Sequence, residues 1–227
     1  MKCFLSALLI FATGCSSTTP LQQVKQPLEL VLPQQDGLED KPILNGETVV
    51  IQPVKRTILP SAKGEFSLSI LPLGFNSTQL KKLESAKIKV IQVLKSPEFK
   101  QMILNHEYAG VKTFVQNNNL TNDQVYTKIM EGAESLNGLV DYEMDLKVQM
   151  YYSWKAVVGY TTPNIDKIFT NSKFYNVNSE CRVGSNLVHE WSHKLGFGHD
   201  FKQTKRRPYS VPYALNRIFE TICTSKE

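Results

Sequence analysis

An α+β fold follows from three features of the sequence. Residues 142–150 alternate strictly, with Tyr142, Met144, Leu146, Val148 and Met150 separated by the polar Glu143, Asp145, Lys147 and Gln149. A period of two marks a half-buried strand. Upstream, Leu80, Leu83, Val90, Ile91 and Leu94 recur at helical spacing and form the apolar stripe of a long helix, with lysines on its solvated side. Downstream, two more helical patterns run over residues 183–195 and 211–224. Leu187 and Trp191 lie on the apolar side of the first, and Leu215, Ile218 and Ile222 on that of the second. A chain of 227 residues with ordinary apolar and charged fractions suits one such domain plus a short extension. The net charge of +5 is mild. It needs no nucleic acid to explain it, and no nucleic-acid recognition motif is visible.

Taken in order, residues 1–14 read as a signal peptide. Lys2 precedes a mostly apolar run from Phe4 to Phe11, too short to span a bilayer. The run ends in Ala12-Thr13-Gly14-Cys15, which resembles the lipobox of bacterial lipoproteins. The resemblance implies cleavage before Cys15, lipid on its sulfur, and a place in the bacterial cell envelope, with Ser16 pointing to the outer membrane. An ordinary secretory signal is the alternative. Residues 15–62 hold Pro20, Pro27, Pro33, Pro42, Pro53 and Pro60 among glutamines and read as a tether. A small hairpin around Asn45-Gly46 is the one element expected within it. The folded domain then covers residues 63–227. Phe66, Leu68 and Ile70 open it with a strand. Asn76 or Ser77 caps the long helix, and Ser96-Pro97-Glu98 stops it and opens another. Residues 117–119 form a loop, and Thr121 starts a helical stretch toward Glu134. Further strands are expected over 156–160 and 167–175, divided at Thr162-Pro163-Asn164.

Residues 189–200 carry the chemistry: His-Glu-Trp-Ser-His-Lys-Leu-Gly-Phe-Gly-His-Asp. His189 and His193 are four apart and project from one face of a helix, one turn above the other. Gly196 permits a turn with positive φ that brings His199 back toward them. Three imidazoles with a fourth position open describe a catalytic zinc site. Glu190 sits beside the first ligand, where a carboxylate can take a proton from an attacking water. Buried histidines that merely hydrogen-bond in a core are the alternative, but five fixed positions coincide by chance at a frequency of order 10⁻⁵ in a chain this long. His106 lies outside the motif and reads as a surface or core histidine.

The motif H-E-x-x-H-x-x-G-x-x-H, followed by Asp200, resembles that of the metzincin clan of zinc metalloendopeptidases. The resemblance implies His189, His193 and His199 as ligands of one Zn²⁺ ion, Glu190 as general base and acid, and a protein or peptide substrate. It also implies a mixed twisted sheet packed on the long helix and the zinc-binding helix, with a small C-terminal subdomain ending in a helix. An antiparallel edge strand that pairs with substrate backbone is expected at Ile168 to Asn171. One departure stands out: metzincins carry a methionine in a turn below the metal, and this chain has none after Met150. The turn is expected at Ser210-Val211-Pro212-Tyr213, with Val211 or Pro212 as its apolar floor and Tyr213 a candidate substrate-binding residue. A core or surface role for Tyr213 is the alternative. The basic run from Lys202 to Arg207 is a solvated surface or a border that favours acidic substrates. Cys181 and Cys223, an even pair outside the cytoplasm, are a disulfide candidate; two free buried thiols are the alternative. The chain is read as a monomer. A non-peptidase zinc amidase of the cell wall and a catalytically silent zinc-binding lipoprotein are the competing functions.

Overall fold

A computed structural model of the chain describes residues 64–226 apart from 137 and 163. The expected signal peptide, Cys15 and the tether lie outside the described residues. The folded unit is mixed α+β, and among the described residues its sheet has four strands in the order β1-β2-β4-β3. Strand β1 (Ser67–Leu73) pairs in parallel with β2 (Glu143–Tyr151), with Ser67 opposite Glu143 and Leu73 opposite Gln149. Between them run α1 (Ser77–Leu94), α2 (Pro97–Leu104) and α3 (Asn122–Glu131). A parallel pair needs such a crossover, because a tight turn cannot return the chain to the same end of the sheet.

The helices start where their side chains can satisfy free backbone N–H groups. Asn76 and Gln79 form a reciprocal capping box at α1, Ser96 caps α2 ahead of Pro97, and Thr121 with Gln124 caps α3. On β2 the expected alternation holds: Met144, Leu146 and Val148 are buried against the helices. The strand begins one residue later than its pattern, because Tyr142 adopts a left-handed φ of 59°.

The second half of the sheet corrects two expectations. Strand β4 (Ile168–Asn171) lies inside the sheet, parallel to β2 and antiparallel to the short β3 (Gly159–Tyr160). The antiparallel edge is therefore β3, not 168–171. Nor does β4 extend to Tyr175. Asn171 turns its side chain to accept from the Lys173 N–H and opens a one-turn helix, α4 (Ser172–Tyr175). Residues 156–158, read as strand, are irregular; the Asn171 amide fastens them instead, donating to the carbonyls of Ser153 and Val157.

Helix α5 (Glu180–Lys194) starts three residues before the apolar pattern, capped by Ser179. Its inner side carries Leu187, Val188 and Trp191, all at most 1% exposed, and Trp191 donates to Glu134 Oε1 at 2.6 Å. Helix α6 (Val211–Thr224) packs along α5 and has the bounds its sequence indicated. The expected turn at 210–213 is the first turn of α6, with Ser210 at its N-cap and Pro212 in the first helical positions, where a missing N–H costs nothing.

Cys181 on α5 and Cys223 on α6 are joined in a disulfide across 42 residues of sequence. Closing a loop of that length in the unfolded chain gives about 4 kcal/mol of stabilisation by the chain-entropy relation. The double variant Cys181→Ala/Cys223→Ala is therefore expected to lose stability of that order in urea unfolding. An unchanged midpoint and slope would show that the bridge adds nothing to the hold between the two helices.

Candidate metal centre

The three histidines of the motif converge. His189 and His193 stand one turn apart on α5, with ring centroids 5.2 Å apart. After Lys194 the helix ends, and Gly196 takes φ of 89°, a conformation that strains any residue with a Cβ. The Gly196 and Phe197 N–H groups donate to the carbonyls of His193 and Ser192, closing the helix end. The reversed chain sets His199 4.9 Å from His193 and 5.4 Å from His189, centroid to centroid. One nitrogen from each ring lies within 4.8 Å of the others, so the group could hold a metal ion.

The surroundings prepare these rings as ligands. His193 Nδ1 lies 2.8 Å from the Phe197 carbonyl and His199 Nδ1 lies 3.1 Å from the Asp200 carbonyl. A carbonyl can only accept, so Nδ1 carries the proton in both neutral rings and Nε2 keeps its lone pair. The Pro212 carbonyl also acts on His189, proline having no N–H to offer. Burial holds the pKa of all three below the usual histidine value, His189 at about 3, and the Arg207 guanidinium adds to this for His189 and His199. The rings are neutral near pH 7 and need lose no proton to bind a cation. This donor set, three neutral imidazoles each held by a carbonyl, fits the ion that the sequence motif implies.

Glu190 is 4% exposed and turns toward the sheet edge. A Cβ placed on Gly159 of β3 would lie 3.5 Å from Glu190 Oε1, and 2.9 Å from both Asn186 Nδ2 and the Phe169 carbonyl. Glycine is thus what lets β3 approach α5 closely. Burial pushes the Glu190 carboxyl up to about 8, while the Thr161 backbone N–H favours its ionised form.

Tyr213, from the first turn of α6, packs against the centre with its ring 4.8 Å from both His189 and His199. Val211 and Pro212 are buried beside it. His106 is elsewhere, a core residue stacked on Phe114 at 4.1 Å, with burial lowering its pKa to about 4. Asp200 does not join the centre through its side chain. It accepts from Gln116 Nε2 and from the Thr204 hydroxyl and so ties down the loop after His199.

Three contributors escaped the reading of the sequence, Gly159, Asn186 and the Asn171 amide, while Arg207 entered it only as the end of the basic run. A lone glycine within a strand-like stretch was the one available signal, since it marks a close approach of backbone. A second group, Glu134, Asp141 and Asp145, also brings three carboxylate oxygens within 4.8 Å. The Lys194 ammonium already acts on two of them, Glu134 and Asp145.

No protein-family model and no curated protein matches this sequence.

Equilibrium dialysis against zinc followed by elemental analysis is expected to find about one ion per chain. His193→Ala should bind more than about 100-fold more weakly, since removing only the hydrogen-bond partner of such a ligand already costs about 10- to 100-fold. His106→Ala should bind like the wild type. Equal occupancy in the wild type and His193→Ala would remove this residue from the ligand set.

Proposed function

We propose that the protein is a zinc-dependent endopeptidase of metzincin type. One observation carries the reading: three carbonyl-tethered imidazoles converge beside a buried carboxylate that faces the antiparallel edge of the sheet. His189, His193 and His199 would hold the ion through the nitrogens left free. Zinc bound there would polarise the scissile carbonyl and acidify a water molecule.

The chain's own groups supply the rest. Strand β3 is the sheet edge nearest Glu190, so an extended peptide pairing there would bring its backbone alongside the carboxylate. Glu190 takes the proton of the attacking water and passes it to the departing amine, so its carboxylate is regenerated each turnover. Its burial excludes bulk water from that exchange. Tyr213 closes the centre on the α6 side. The Cys181–Cys223 bridge supports the envelope location that the N-terminal sequence implies, because such bridges persist outside a reducing cytosol. A purely cytosolic pool in cell fractionation would contradict that location.

Glu190→Gln is nearly isosteric and removes the base while leaving the three imidazoles. It is expected to retain zinc and to lose roughly 10²- to 10⁴-fold in turnover of a quenched fluorescent peptide library. Wild-type turnover in the zinc-loaded variant would refute the role. A wild type that cleaves peptidoglycan amides but neither casein nor the library would move the assignment to a cell-wall amidase.

A further inference from the structure

Tyr213 has two neighbourhoods. One side of its ring belongs to the metal centre. The residue also lines a groove of about 510 Å³ along α6, together with Pro208, Asn216, Arg217 and Glu220. Tyr213, Arg217 and Glu220 follow at helical spacing and share one side of α6. The volume lies in the range of small-ligand sites.

Arg217 lines this groove, and Arg207, next to Pro208, lies over the ring of Tyr213, another of its lining residues, at 4.6 Å. Arg217 lies over the Tyr209 ring at 5.7 Å. Among the described residues neither is in an ion pair. Arg207 Nε is buried and has no hydrogen-bond partner. Glu220, the acid of the groove wall, faces Arg182 at 3.4 Å. A guanidinium over an aromatic ring is attracted to the ring face, and its fork of N–H donors matches the geometry of a carboxylate. Two such groups, fixed by tyrosines and lacking an acid of their own, are prepared for an acid that arrives with a ligand.

We propose that Arg207 and Arg217 form a carboxylate-recognising subsite along α6, beside the metal centre, and that the favoured substrates are peptides with a carboxylate close to the scissile bond. The proposal rests on the peptidase reading for the class of ligand. The carboxylate can belong to an acidic side chain or to a chain terminus, and the chemistry of recognition is the same for both.

Binding to the full-length, zinc-loaded Glu190→Gln protein tests this without depending on turnover. The probes are a neutral hexapeptide blocked at both ends, the same peptide with one glutamate moved through the six positions, and the neutral peptide with a free C-terminal carboxylate. A glutamate at one or two positions, or the free terminus, is expected to tighten binding roughly 10- to 100-fold, as a charge-assisted pair would. Gain from the glutamate peptides assigns the subsite to acidic side chains; gain from the free end alone assigns it to chain termini. The preference should fall in Arg207→Gln and in Arg217→Gln, and vanish in the double variant at unchanged zinc content. Equal binding of all the probes would overturn the proposal, as would a preference that survives in the double variant. Hydrolysis of the same peptides by the wild type is scored separately. Cleavage of none of them counts against the peptidase reading, whereas the binding series decides the subsite.

Discussion

The carbonyl oxygens of Phe197 and Asp200 decide which nitrogen His193 and His199 can offer, and the rest of the site depends on that constraint. An imidazole free to flip would present either nitrogen and would bind a cation weakly and in many geometries. With Nδ1 engaged, the lone pairs point to a common place, and the cost of ordering the rings is met during folding. The backbone that supplies these carbonyls exists only because Gly196 reverses the chain with a left-handed φ. The Pro212 carbonyl completes the set for His189, and it is delivered by α6, the helix fastened to α5 by the disulfide. The centre therefore joins one helix, the turn that ends it and the start of the last helix.

The sheet is organised around the same helix from its other side. Gly159 lets the edge strand come within van der Waals reach of Asn186 and Glu190, which stand one turn apart on α5. The Asn171 side chain holds the segment leading into that edge with three hydrogen bonds, to Ser153 N, Ser153 O and Val157 O, and caps α4 with a fourth, from Lys173 N. The result is a buried carboxylate between a group that could hold a metal ion and the outermost strand of the described sheet. The peptidase proposal rests on that juxtaposition and not on the histidines alone.

Much of this was legible in the chain. The helix starts at Asn76, Ser96 and Thr121 were readable because capping is a local interaction between residues three apart. The bounds of α6 followed from the apolar side formed by Leu215, Ile218 and Ile222, while its first turn was read as a separate turn at 210–213. The grouping of His189, His193 and His199 was readable because a helix and one glycine fix their relation without tertiary help. The order of the last strands was not. Residues 156–160 and 168–171 have similar β propensity, and which of them forms the edge depends on the Asn171 amide and on the gap at Gly159, both tertiary. Arg207 stood in a basic run that reads as solvated surface or as a border favouring acidic substrates, and its place over the Tyr213 ring distinguishes it from Lys202, Lys205 and Arg206. Val211 and Pro212, expected as the floor of a turn, are buried in the first turn of α6.

The central claim is that three imidazole nitrogens, and no other protein atoms, form the metal centre. X-ray absorption at the zinc edge of the loaded full-length protein measures this directly. The account predicts a first shell of three nitrogen scatterers and light-atom solvent at about 2.0–2.1 Å, with the multiple-scattering pattern of imidazole rings and no sulfur at about 2.3 Å. A shell of oxygen alone, or one with fewer than three imidazoles, would contradict it.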